Sequence, residues 1–299
     1  MLIIGSRGSQ LALWQARWVQ ARLAEFGEES RIEIIRTTGD TVQDVALSKV
    51  GAKGLFTKEI EEALLNGTID LAVHSLKDMP TDLPPGLTLA AIPQRQDPRD
   101  ALAGRRLAEL FSGARVGTSS LRRSAQLRAL RPDLQIENIR GNVDTRLRKL
   151  DEGQFEAILL AAAGLRRLGL DHRISELLEP DAMCPAVGQG ALAVETRDDN
   201  GHAAQVCHKL DDPQTRVAVT AERAVLAALG GGCQVPIGAL AEGSDPLRLR
   251  ALIISPDGQT VIRGQIEVDP ECAQQAGREM GERLLSQGGR IILEQVYGA

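Results

Sequence analysis

Along the first half of the chain, short apolar runs of strand character alternate with longer stretches of helical period, the signature of layered α/β folds. The pattern predicts strands at residues 2–4, 32–35, 71–73 and 87–92. Between them, apolar residues at helical spacing predict a helix over 11–26. A second helix is expected over 57–66, opened by Thr57 as N-cap, with Glu59 and Glu61 where acids suit the positive helix end. Residues 37–54 are polar, contain glycine and show no clear period, so a mobile loop is expected there.

The run Pro93-Gln94-Arg95-Gln96-Asp97-Pro98 carries two prolines and reads as a hinge into a second α/β unit. Its strands are predicted near Val116 and at 135–139 and 157–160, with helices after Ser120, after Asn142 and around 162–168. Residues 191–195 read as a strand returning to the first lobe, and two crossings of this kind make a two-lobed clamp. Asp212 and Pro213 place an N-cap and an N1 proline before a helix over 215–229 that ends at Gly230-Gly231-Gly232. Beyond it, 247–254 and 261–268 flank the turn Pro256-Asp257-Gly258 as a hairpin, and 272–286 looks helical. The expected fold class is α/β, two lobes of mixed sheet with helices on both faces plus a smaller C-terminal α+β domain. The expected boundaries are 1–93 plus about 191–209 for domain 1, 94–190 for domain 2 and 213–299 for domain 3.

Composition agrees with that division, since 299 residues at 43% hydrophobic exceed the size at which one core keeps growing. The opening Met1-Leu2-Ile3-Ile4-Gly5 has neither a basic n-region nor a long apolar h-region, and no stretch nears the roughly 20 apolar residues of a membrane span. No signal peptide and no membrane association are expected, and the chain reads as cytoplasmic. Cys184, Cys207, Cys233 and Cys272 form no Cys-x-x-Cys pair, and His74, His172, His202 and His208 lack ligand spacing. Neither a disulfide framework nor a metal is expected.

Charge changes the picture. The net charge is −5, yet residues 115–149 hold nine Arg and Lys against three acids. An acidic body repels a phosphate backbone, and 2% aromatic residues leave few rings for bases to stack on. A small anionic ligand fits better than a nucleic acid.

The candidate chemistry lies in a few runs. Leu71-Ala72-Val73-His74-Ser75-Leu76-Lys77-Asp78-Met79-Pro80 passes from a buried strand into a polar loop at the edge where open α/β sheets bind ligands. A carboxylate there can stabilise a cation or exchange a proton with a leaving amine, although Lys77 and Asp78 also fit an ordinary turn before proline. Gly117-Thr118-Ser119-Ser120-Leu121-Arg122-Arg123 sets hydroxyl residues at a strand-to-helix junction, suited to carboxylate or phosphate, and Arg140-Gly141-Asn142-Val143-Asp144-Thr145-Arg146 repeats the arrangement. Either alone reads as a capped helix with solvated arginines; two equivalent junctions favour anion binding. Neither a Gly-x-x-x-x-Gly-Lys-[Ser/Thr] loop nor a Gly-x-Gly-x-x-Gly turn is present, so no nucleotide is expected. Gly230-Gly231-Gly232-Cys233-Gln234-Val235-Pro236-Ile237-Gly238 leaves room beside a thiol, either as a helix end with an incidental cysteine or for covalent chemistry.

Taken together, these runs resemble the porphobilinogen deaminase family over essentially the whole chain. Further motifs of the resemblance are Arg7-Gly8-Ser9-Gln10-Leu11-Ala12-Leu13-Trp14-Gln15, Gly51-Ala52-Lys53-Gly54-Leu55-Phe56 and Pro185-Ala186-Val187-Gly188-Gln189-Gly190. The resemblance implies two lobes like those of periplasmic binding proteins and a third domain with the cofactor cysteine. It also implies a dipyrromethane cofactor, joined by a thioether to Cys233. Four porphobilinogen units are then added head to tail, each losing ammonia, and water releases the linear tetrapyrrole hydroxymethylbilane for porphyrin and haem synthesis. Loss of ammonia leaves an electron-poor pyrrole, and the resemblance makes Asp78 the carboxylate that stabilises it. Every pyrrole carries an acetate and a propionate, which Arg forks bind bidentately.

Carried over by resemblance, recognition falls to Arg7, Ser9, Gln15, Lys49, Lys53, Ser75, Lys77, Thr118, Ser120, Arg122, Arg123, Arg140, Gly141, Arg146, Arg167 and Gln189. Phe56 is expected to stack near the cofactor pyrroles, with residues 37–54 acting as a lid. Asp144 adds an acid inside the second arginine motif, and beyond Gly238 the match is looser. A monomer is expected, with possible hand-over of product to uroporphyrinogen-III synthase. Two competing readings are a non-catalytic two-lobed binder of a polycarboxylate and a Schiff-base enzyme using Lys77.

Overall fold

A computed structural model describes residues 1–41, 57–231 and 235–297. The strands are β1 (Leu2–Ser6), β2 (Ser30–Ile34), β3 (Leu71–Ser75), β4 (Leu87–Ala91), β5 (Asp100–Gly104), β6 (Arg115–Gly117), β7 (Gln135–Glu137), β8 (Ala157–Ala161), β9 (Glu176–Leu178), β10 (Leu192–Arg197), β11 (Ile237–Glu242), β12 (Leu247–Ile254) and β13 (Val261–Val268). The helices are α1 (Gln10–Glu25), α2 (Thr38–Thr41), α3 (Lys58–Leu65), α4 (Leu121–Leu130), α5 (Val143–Asp151), α6 (Ala162–Arg167), α7 (His202–His208), α8 (Pro213–Ala228), α9 (Ala273–Leu284) and α10 (Arg290–Tyr297). The chain divides into two compact units, residues 1–96 with 190–216, and residues 97–189 with 217–299.

In the first unit, five strands form one sheet in the order β2-β1-β3-β10-β4. β1 runs parallel to β2 and β3, whereas β10 is antiparallel to both β3 and β4. Strand alternation sorts the side chains by face. Ile4, Leu71, Val73 and Val194 pack with Ala16, Val19 and Leu23 of α1 and Val206 and Cys207 of α7. Ala72 turns to the other face, against Ile60 and Leu64 of α3, Ile69 and Leu87. Both faces are therefore covered at the centre of the sheet, which is why β1 and β3 read as near-continuous apolar runs.

The second unit holds two sheets. One has the order β7-β6-β8-β5-β9, with β6 parallel to β7 and β8, and β5 antiparallel to β8 and β9. Leu127 of α4 packs with Leu102, Val116 and Leu159 on one face, and Leu147 of α5 and Leu165 of α6 pack with Ala101, Ile158 and Leu160 on the other. The other sheet is the antiparallel set β11-β12-β13, covered by Val225 of α8, Met280 and Leu284 of α9, and Ile292 and Leu293 of α10. The expected hairpin is β12–β13, paired from Leu247↔Val268 to Ile254↔Val261. Its turn glycine, Gly258 at φ 78°, lies so close to α4 that a Cβ there would stand 2.7 Å from the Ala125 carbonyl oxygen.

Local signals held unevenly. Asp212 caps α8 as expected, its Oδ1 accepting the Thr215 N–H at 2.7 Å. Thr57 does not cap α3 with its side chain, although its hydroxyl is buried. Strands β5, β9 and β11 and helices α2, α7 and α10 were not anticipated, α2 lying where an aperiodic loop was expected. Among the described residues, no helix is long and apolar enough to cross a membrane.

Candidate functional site

In the first unit, the parallel pairing Ile4↔Leu71 brings the residues after β1 and those after β3 to one edge of the sheet. Arg7 and Ser9 follow β1, and Ser9 caps α1 by accepting the Ala12 N–H at 3.3 Å. From the same helix, buried Gln15 donates its side-chain amide to the Ser75 hydroxyl at 2.8 Å. Ser75 ends β3, Leu76–Asp78 make a 3-10 turn, and the Leu76 N–H donates to the Ala191 carbonyl at 3.0 Å. Lys77 is half-buried and Asp78 is exposed, so the carboxylate meets solvent at the end of a strand fixed on both sides. Arg7, Ser9, Gln15, Ser75, Lys77 and Asp78 thus gather at one edge.

On the α3 face of the same sheet lies a group the sequence reading did not assign. His74 Nε2 is 3.1 Å from Glu195 Oε2, both side chains buried, and Glu61 of α3 is buried beside them. Burial pushes the Glu61 carboxyl above its ordinary range and the Glu195 charge adds to this, while Thr57 and His74 pull partly back. A carboxyl raised by folding contributes stability below its unfolded pKa and loses that contribution as pH rises through the folded value. Glu61→Gln is therefore expected to melt above the parent at pH 8, with the gap closing as pH falls toward 4.5 and below; thermal melting across that range checks it.

In the second unit, β6, β7 and β8 are parallel, so the turns that follow them leave one edge. After β6, buried Thr118 accepts the Ser120 N–H on Oγ1, and Ser120 caps α4 through the Arg123 N–H. Arg122 and Arg123 were expected to face a ligand, but both are buried against Asp100, which is fully buried at the start of β5. Arg122 Nη1 donates to Asp100 Oδ2 at 2.7 Å and to the Cys184 carbonyl, and Arg123 Nε donates to Asp100 Oδ1 at 2.9 Å. Gln189 joins them, donating to Asp100 Oδ1 at 2.8 Å and to the Pro98 carbonyl at 2.7 Å. Burial alone would raise Asp100, yet the two guanidiniums outweigh it and hold the carboxyl well below the usual range.

Two cations against one carboxylate leave positive charge unbalanced, and further cations stand nearby. Arg146, from the first turns of α5, is pulled down to about 10 by burial and by the charges of Arg123 and Arg140. Its Nε donates to the Gly141 carbonyl at 2.8 Å, and Gly141 at φ 110° lies where a Cβ would be 2.6 Å from Thr145. Arg167, at the end of α6, is buried and likewise held to about 10 by burial. The structure brings Arg123 and Arg140 within reach of the Arg146 charge, an arrangement suited to an anion with several carboxylates. Asp144 is exposed in the first turn of α5, where it meets the positive helix end. Lys49, Lys53, Phe56 and Cys233 lie outside the described residues, as does most of the 37–54 segment. Cys184 and Cys207 are buried with thiols pushed up to about 12 by burial, which suits neither to nucleophilic work.

Asp100 and Glu195 are the functional-site neighbours that sequence reasoning missed. A signal existed for Glu195, a carboxylate at an inward position of the apolar run Leu192-Ala193-Val194. For Asp100 there was only its place near two prolines.

The family model for the porphobilinogen deaminase dipyromethane cofactor binding domain matches residues 2–205, and that for the porphobilinogen deaminase C-terminal domain matches residues 217–286. Among curated relatives, the porphobilinogen deaminase of Roseiflexus sp. (strain RS-1) is 56% identical, covering 98% of this chain and 98% of its own. That of Syntrophobacter fumaroxidans is 51% identical over 99% of this chain and 98% of its own. Among solved structures, the methionine binding protein MetQ matches 70% of this chain and 89% of its own at 13% identity, with a TM-score of 0.45. The chain belongs to the porphobilinogen deaminase family, transferases that join porphobilinogen on a dipyrromethane cofactor into hydroxymethylbilane in tetrapyrrole biosynthesis.

Proposed function

We propose that Asp78 carries the charge and proton chemistry of this reaction and that Cys233 tethers the cofactor. The observation that supports the first assignment is the exposed carboxylate on a turn whose strand is held from neighbouring elements. As an amine leaves the substrate, positive charge develops on the pyrrole, and a fixed carboxylate beside it lowers the barrier. Asp78 is thus read as stabilising that charge and exchanging the proton of the pyrrole N–H.

The donor set fits the cofactor. Dipyrromethane bears acetate and propionate arms, and Arg140, Arg146 and Arg167 offer guanidiniums, two of them depressed by burial in the way an anion would reverse. When bound, the cofactor supplies the terminal pyrrole carbon to which substrate is joined. Arg7, Ser9, Lys77, Thr118 and Ser120 are read as orienting the arms of substrate and chain. Gln15 is read as acting through Ser75, and Arg122, Arg123 and Gln189 through the Asp100 centre. Lys49, Lys53 and Phe56 keep the roles the family resemblance gives them.

The reading extends to a three-domain division at 1–93 plus about 191–209, 94–190 and 213–299, and to a cytoplasmic monomer that passes its product to uroporphyrinogen-III synthase. The test of the tether is the intact mass of the purified protein. An excess of two linked pyrrole units that vanishes in Cys233→Ala is expected; an excess retained in that variant places the attachment elsewhere.

A further inference from the structure

Glu61, His74 and Glu195 bring three ionisable side chains together in the interior of the first unit. The register explains how: His74 lies opposite Ala193 and Glu195 opposite Ala72, so the two are diagonal neighbours on the α3 face. Glu195 Oε1 and Glu61 Oε1 are both buried without a hydrogen-bond partner. Well-packed apolar residues would serve stability as well or better than such a group. Its position says more. His74 is the last residue but one of β3, and the next residue, Ser75, points to the opposite face, where Gln15 holds its hydroxyl. The end of the strand is therefore fastened on both faces immediately before the turn that presents Asp78.

We infer that His74 is a positioning residue: paired with Glu195, it fixes the end of β3 and with it the aim of the Asp78 carboxylate. The inference rests on the reading of Asp78 given above. Glu61 stands behind the pair as a second carboxyl, and Lys77 and Asp78 are the charged groups of the turn itself.

Steady-state kinetics of the cofactor-loaded enzyme test it. His74→Leu, which removes the polar link, is expected to lower kcat roughly 10- to 100-fold, as small misplacements of a reacting group do, with KM for porphobilinogen within about two-fold. His74→Gln, whose amide can reach Glu195 from nearly the place of Nε2, is expected to restore most of that loss. Adding His74→Leu to Asp78→Asn is expected to cost nothing further, because the residue acts through the carboxylate already removed. Should His74→Leu fail to fold, Glu195→Gln, which keeps the shape and drops the charge, is expected to lower kcat alone. Unchanged kcat in the folded variants, no recovery in His74→Gln, or a fully multiplicative loss beside a collapsed Asp78→Asn overturns the inference and leaves Asp78 standing. Near-normal turnover in Asp78→Asn overturns the reading of Asp78 itself, and this inference with it.

Discussion

Asp78→Asn is expected to reduce turnover by about 10²-fold or more while the protein melts as before. The two side chains have nearly the same volume, and Asp78 is exposed, so nothing in the packing depends on the exchange. What is lost is the negative charge. An amide can accept a hydrogen bond from a pyrrole N–H but cannot balance a cation as ammonia departs, and it cannot take up a proton. The loss is expected in kcat, with porphobilinogen still bound through its acetate and propionate. Ammonia release by cofactor-loaded protein is the measurement, and near-normal release would remove Asp78 from the chemistry.

Asp100→Asn is expected to have the largest effect on stability, roughly 3–5 kcal/mol, because it strands buried charge. Arg122 and Arg123 are 4% and 6% exposed, and Asp100 is the shared carboxylate to which both donate. The pH dependence follows from the depressed carboxyl. A group lowered by folding contributes stability above its unfolded pKa of 3.8 and loses it as pH falls through the folded value. Parent and variant should therefore differ by a constant amount from pH 8 down to about 4 and converge only in stronger acid. Urea denaturation at several pH values reads this directly, and equal midpoints at pH 7 would show that Asp100 is dispensable.

The centre of the first sheet was legible because its inner strands β1 and β3 are buried on both faces. Residues 71–73 are apolar for that reason, and the structure extends that strand only to Ser75. β5 and β11 were not legible, since Asp100-Ala101-Leu102-Ala103-Gly104 and Ile237-Gly238-Ala239-Leu240-Ala241-Glu242 are rich in alanine and glycine, which favour no strand. Of the site, the motifs announced hydroxyl and arginine residues at the right turns, but spacing could not say what each arginine faces. Arg122 and Asp100 are 22 positions apart, and His74 and Glu195 are 121 apart. Contacts of that range depend on sheet order: residues 191–195 were legible as a strand returning to the first lobe, but nothing local says that it lies antiparallel between β3 and β4.

That strand also sets an order of assembly. Among the described residues β4 pairs only with β10, which enters the chain after β5 through β9 have all been made. On the ribosome, the flank of β3 and all of β4 must therefore wait as open strand edges until residue 197 emerges. A nascent chain stalled among residues 97–189 carries an incomplete first sheet, a natural substrate for chaperones that shield unpaired strands.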